Sequence, residues 1–170
     1  MDLYIYPAPI EEKTVFENLM HLYRYDFSEF SGDDVDKQGR FLDHYLPYYW
    51  IEPNRYPFLV KVDGKYAGFV MVRRFPDEES GEEIFHIAEF FVLKKYRRRQ
   101  VGRQMARRIF DRFPGKWRVA QTEENLPAQA FWRKVIADYT GGNFHEIRVP
   151  GWDGPVQEFA IENSAVDSLE

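Results

Sequence analysis

The chain opens on a short alternating run, Leu3 to Tyr6, that reads as a strand, and then changes period. Val15, Leu19, Leu22 and Tyr23 recur at helical spacing between Glu11 and about Phe30, with Ser31-Gly32 as the stop. Ser31 to Arg40 is a polar, acidic loop, and Phe41 to Trp50 is an aromatic segment with a short helix expected before Pro47. From Tyr56 to Arg73 two β-rich runs flank Asp63-Gly64, a strong hairpin signal, so two antiparallel strands are expected. The charged loop Phe75 to Glu83 leads into a third strand of this meander, Ile84 to Val92. Val101, Met105, Ile109, Phe110 and Phe113 then return to the helical period, with Arg103, Arg107, Arg108 and Arg112 on other faces, the pattern of a helix packed on a sheet. Trp117 to Gln121 reads as a parallel strand, Phe144 to Val149 and Val156 to Ile161 as a hairpin around Pro150 to Pro155, and Glu162 to Glu170 as a frayed end. This order gives an α/β mixed sheet, largely antiparallel, with helices on both faces.

The junction between the third meander strand and the next helix carries the clearest chemistry. A helix opening at about Val101 leaves unpaired backbone N–H groups and a partial positive charge at its first turn, and Arg97, Arg98, Arg99 and Arg103 surround that end with guanidinium. Gly102 lets backbone approach a ligand where a side chain would block it. No Walker lysine follows, which argues against an NTP-hydrolysing loop. A polyanion is the expected occupant.

Composition narrows its kind. The net charge is -5, yet nine of the 23 Lys and Arg residues fall between Lys94 and Arg112, between acidic flanks. Local basicity suits a small polyanion, whereas nucleic acid would call for a basic overall balance, so no nucleic-acid partner is expected. A chain of 170 residues with 44% hydrophobic and 18% aromatic content suits one domain over 1–170. There is no cysteine, so a disulfide framework, a thiolate metal site and an acyl-enzyme through sulfur are all excluded. His21, His44, His86 and His145 lack metal-ligand spacing, so no metal is expected, and His86 is a secondary candidate for a proton relay. No stretch approaches the roughly 20 apolar residues of a membrane helix, and Met1 to Pro7 lacks the basic start of a signal peptide, so the expectation is a cytoplasmic protein without a membrane partner.

Residues 84 to 136 resemble the acetyl-CoA-binding half of the GNAT superfamily of N-acetyltransferases, through two motifs. The family's apolar strand followed by Arg/Gln-x-x-Gly-x-Gly/Ala reads here Arg97-Arg98-Arg99-Gln100-Val101-Gly102, with Gln100 at the first glycine. Gln100 is therefore expected to point outward and to offer its backbone N–H. The family's Asn-x-x-Ala-x-x-Phe-Tyr is met by Asn125, Ala128 and Phe131, with Trp132 at the tyrosine. The resemblance implies that acetyl-CoA or CoA is the co-substrate, and that its pyrophosphate lies on residues Arg97 to Arg103. It further implies that its pantetheine inserts between the splayed fourth and fifth strands, against backbone of Phe90, Phe91 and Val92. Asn125 would bond the pantetheine or order the loop beside it. The tyrosine commonly protonates the departing thiolate, a task that indole N–H does not perform near neutral pH.

An amine acceptor must lose a proton before it attacks, and Glu89, which interrupts the apolar run Ile87 to Val92, is the candidate base. The competing reading of Glu89 is an ion pair with a nearby arginine or a solvent-facing carboxylate. The function expected is transfer of acetyl from acetyl-CoA to a primary amine, on a small molecule or a protein, by direct attack. Acidic residues of the variable loops, Asp33, Asp34, Asp36, Asp43 and Asp77 to Glu79, hint at cationic acceptors. The alternatives are a catalytically weak acyl-CoA-binding sensor or interaction module and, behind it, a basic-loop nucleic-acid binder. The aromatic C-terminal hairpin is a candidate surface for a homodimer.

Overall fold

The structure, a computed structural model, describes residues 1–41 and 43–163. Its strands are β1 (Leu3–Pro7), β2 (Arg55–Val62), β3 (Lys65–Pro76), β4 (Glu83–Val92), β5 (Gly115–Ala120), β6 (His145–Ile147) and β7 (Val156–Ile161). Its α-helices are α1 (Lys13–Ser31), α2 (Val101–Arg112) and α3 (Leu126–Thr140). The strands form a mixed sheet in the order β1-β2-β3-β4-β5-β7-β6. Asp63 and Gly64, at φ 49° and 76°, close the β2–β3 hairpin as the sequence predicts. The parallel pair is β4 with β5, in register over Ile84↔Lys116, Phe85↔Trp117 and His86↔Arg118, and β7 returns antiparallel along β5.

The described residues divide into two compact units. The first comprises Met1–Arg73 and Ile87–Met105. Its core packs Phe16, Leu19 and Met20 of α1 on Leu59, Phe69, Met71 and Phe91 of the strands. Gly68 is required there by close approach: a Cβ at that position would lie 2.0 Å from the Phe91 carbonyl oxygen. The second unit comprises Arg74–His86 and Ala106–Glu170. Its core is aromatic, with Trp117 fully buried, stacked on Phe85 and Phe159 and met edge-on by Phe110. Two buried amides add a polar element, Gln121 and Gln157, whose side chains exchange hydrogen bonds of 2.7 and 2.9 Å.

Several elements differ from expectation for local reasons. The short helix of the aromatic segment is a 3-10 turn over Leu46–Trp50 that includes Pro47 in its first turn, where the missing N–H costs nothing. Leu22, placed on the core face by spacing, is 50% exposed. The helix after β5 runs 15 residues, capped by Asn125 and ended by Gly141 in the left-handed region. The first strand of the C-terminal hairpin shrinks to His145–Ile147. Of the end expected to fray, residues 164–170 lie outside the described residues. Among the described residues no helix is long and apolar enough to cross a membrane.

Candidate active site

The loop after β4 is built by backbone constraint. Leu93 N–H donates to the Ala67 carbonyl at 2.8 Å, and a 3-10 turn over Lys94–Tyr96 buries the Tyr96 ring. Arg97 then turns inward: its Nε donates to the Val92 carbonyl at 2.8 Å, and its Nη2 pairs with Asp26 of α1, which Lys94 Nζ also approaches to 3.7 Å. Arg98 and Gln100 both adopt left-handed backbone, φ 59° and 64°, a region that non-glycine residues enter at a cost. Gln100 thus takes the conformation a glycine would supply, and its side chain is exposed. The Gln100 carbonyl accepts the Gln104 N–H at 3.0 Å, so the amides of Val101 and Gly102 precede the first helical bond and stand at the open start of α2. Arg98 and Arg99 are exposed, and among the described residues neither has an ion pair. The guanidinium groups of the loop therefore differ in role: Arg97 ties the loop to α1, while Arg98 and Arg99 remain open to an anion.

Upstream of that loop, the first unit holds a second polar feature. Strand alternation puts Glu89 on the face of Phe91, whose ring packs against Tyr23 and Phe69. The Tyr23 hydroxyl donates to Glu89 Oε2. Arg24 Nη2 stands 3.9 Å from Glu89 Oε1 and 2.9 Å from Asp43 Oδ2. The Glu89 side chain keeps 24% of its surface exposed, so the carboxyl is enclosed yet reachable. Burial pushes its pKa above the ordinary carboxylate range, opposed by the Tyr23 hydrogen bond and the Arg24 charge; Asp43 pushes it further up and Arg73 pulls it down. Burial, reinforced by the Glu89 charge, holds the Tyr23 hydroxyl well above its usual range, so it stays a donor. Tyr49, buried beside this group, is pushed up to about 12 by burial, and the Arg55 guanidinium lies 5.3 Å from its ring centre. The competing reading of Glu89 is partly met, since an arginine does stand beside it. The nearer contact, however, is a tyrosine, and Arg24 is closer to Asp43.

A model of the acetyltransferase (GNAT) family matches residues 16–136. The chain belongs to the GNAT family of acetyltransferases. No curated protein sequence matches it. Among solved structures this GNAT chain is similar to an acetyltransferase from Thermus thermophilus, at 15% identity over 95% of this chain and 98% of that one, with a TM-score of 0.67. It is similar to an aminoglycoside acetyltransferase from an uncultured soil metagenomic sample, at 18% identity over 88% and 93% of the two chains, with a TM-score of 0.62. It is also similar to the PaiA N-acetyltransferase of Thermoplasma acidophilum, solved with coenzyme A, at 10% identity over 94% and 99%, with a TM-score of 0.61. At such identities these likenesses speak to the fold.

Of the residues singled out in the GNAT sequence, Glu89, Phe90, Phe91, Val92 and Arg97 to Arg103 fall in the first unit and Asn125 in the second. Asn125 orders the start of α3, its Oδ1 accepting the Ala128 N–H at 3.1 Å. Trp132, at the family's tyrosine, is buried against Phe110 and Phe131. The hydroxyl of Tyr139 donates to Asp111 at 2.7 Å, and burial raises its pKa. His86 stacks flat on Phe75, ring centres 4.3 Å apart. Three of the acidic loop residues are engaged within the chain: Asp36 with Arg40, Asp43 with Arg24, and Asp77 with Arg118. Sequence reasoning passed over Arg24 and Arg73 and read Tyr23 as packing. The cue was faint, because Tyr23 and Glu89 are 66 positions apart and a tyrosine on the apolar side of α1 reads equally well as core.

Proposed function

We propose that this GNAT chain is an acetyl-CoA-dependent N-acetyltransferase that acts on a primary amine, on a small molecule or a protein, by direct attack within a ternary complex in the cytoplasm. The observation that carries the reading is Glu89: a carboxyl set into an apolar strand, enclosed but reachable, with its pKa raised towards the range in which a base can both take and release a proton. The ammonium proton passes to Glu89 and frees the nitrogen lone pair. The C–N bond then forms at the thioester carbonyl, the C–S bond breaks, and the second proton of the attacking nitrogen passes through water to the departing thiolate, since the Trp132 indole N–H is no acid near neutral pH. Arg98, Arg99 and Arg103, with the amides of Gln100, Val101 and Gly102, hold the pyrophosphate, and Arg97 braces that loop from behind. Backbone N–H groups between Phe90 and Val92 serve the pantetheine and the developing oxyanion. The coenzyme A bound in the Thermoplasma neighbour and the aminoglycoside activity of the soil neighbour support donor and acceptor class respectively.

Calorimetric titration with acetyl-CoA, followed by an amine panel, tests the proposal. The wild type should bind at micromolar Kd, and Arg98→Ala and Gly102→Glu should each weaken binding at least tenfold. Glu89→Gln should bind acetyl-CoA normally yet turn over an accepted amine about 10²–10⁴ times more slowly. Binding with no turnover of any amine would favour an acyl-CoA-binding module, the reading that the buried Trp132 supports. A wild type that ignores acetyl-CoA would sink both.

A further inference from the structure

We infer that Tyr23, its ring held among Phe27, Phe69 and Phe91, is a positioning residue for Glu89 that fixes the carboxylate's orientation through its hydroxyl. The inference rests on the reading of Glu89 as the base, but it is tested separately from it.

The argument starts from what faces Glu89. From α1 come the Tyr23 hydroxyl, bonded to Oε2, and Arg24, 3.9 Å from Oε1. From the segment before the 3-10 turn comes Asp43, whose charge is engaged by Arg24 at 2.9 Å. Arg73 of β3 and Tyr49 of the 3-10 turn act on the group at longer range. Arg24 is therefore divided between two carboxylates and sits nearer to Asp43, so the direct contact on Glu89 is the tyrosine. The hydroxyl pins Oε2 and so fixes the plane of the carboxylate, while Oε1 faces Arg24 at 3.9 Å without a hydrogen bond between them. The Tyr23 ring is itself fixed, stacked with Phe27 and edge-on to Phe69 and Phe91, with centroid separations of 5.6 to 5.8 Å. A donor whose position is set by three rings is preorganised, and a hydrogen bond to the charged form favours that form.

The sign follows. A base must be ionised, so transfer falls as pH drops through the Glu89 pKa. Loss of the Tyr23 hydroxyl removes a contact made to the carboxylate, raises that pKa and moves the acid limb to higher pH.

The test is carbon-13 NMR of the glutamate side chains across pH in the full chain, with the Glu89 resonance assigned by its loss in Glu89→Gln. Tyr23→Phe keeps the ring and its packing, so the fold is retained, which melting curves check. The Glu89 midpoint in Tyr23→Phe should lie about one pH unit above that of the wild type. The acid limb of kcat/KM for an accepted amine should move by the same amount, with activity largely recovered at alkaline pH. An unmoved or lowered midpoint in a folded variant would overturn the inference, as would a uniform loss of rate at every pH. A raised midpoint alongside undiminished transfer by Glu89→Gln would leave the positioning role standing and defeat the base reading instead.

Discussion

At the scale of single residues, the loop after β4 shows a side chain doing a glycine's work. Gln100 stands where the family has its first glycine and holds left-handed backbone, φ 64°, the region a glycine enters freely, with its side chain in solvent. Left-handed backbone costs an ordinary residue roughly 1–2 kcal/mol, while a glycine there adds freedom to the unfolded chain that returns part of the difference. Gln100→Gly should therefore stabilise the protein by about 0.5–1 kcal/mol, a rise of about 1–4 °C in Tm read by calorimetry. Acetyl-CoA affinity should be unchanged, because the Gln100 side chain already faces solvent. A lower Tm would mean that the Gln100 side chain contributes more than its conformation costs. Trp132 is the converse case: the residue type departs from the motif, and its indole is buried against the ring of Phe110.

At the scale of elements, α1 reaches both polar features of the first unit. Tyr23 and Arg24 address Glu89, and one turn later Asp26 holds Arg97 and Lys94 of the loop. Asp26→Asn keeps the shape but removes the charge that pairs with the half-buried Arg97 and the exposed Lys94, a change worth about 0.5–1 kcal/mol. Amide exchange over 93–100 should quicken a few-fold and acetyl-CoA should bind a few-fold more weakly, while exchange in β5 and β7 stays unchanged. Equal exchange in the loop would show that the backbone bonds of Leu93 and Tyr96 suffice. The elements themselves were legible because periodicity is local: Asp63-Gly64, the apolar stripe of α2 and the alternation of β4 each announce a structure within a short window of sequence. The basic loop and the lone carboxyl of β4 stand out in the sequence for the same reason, as a cluster and as an interruption. The surroundings of Glu89 do not, since Tyr23, Arg24, Asp43 and Arg73 come from separate stretches of the chain, and α1's apolar spacing hides the hydroxyl that bonds Glu89. The 3-10 turn at Pro47 was misplaced because proline ends a helix and begins one with the same residue.

At the scale of the whole molecule, a chain of net charge -5 keeps nine cations within one short stretch, and acidic side chains of its variable loops already have partners. The field around the loop is thus set by its own arginines, and its pull on an anion should weaken with salt over the usual screening length of about 10 Å at 0.1 M. The exposure of Arg98 and Arg99 on a strained turn has one more consequence, since a basic, solvent-facing segment is also what trypsin seeks. Brief digestion of the free protein should nick it after Arg98 or Arg99 before any other site and yield a larger N-terminal fragment and a smaller C-terminal one. A ligand seated on those guanidinium groups should shield the bond. The protein's own cleavage pattern would then serve as a footprint of whatever anion the loop holds, readable by mass spectrometry before any acceptor has been identified.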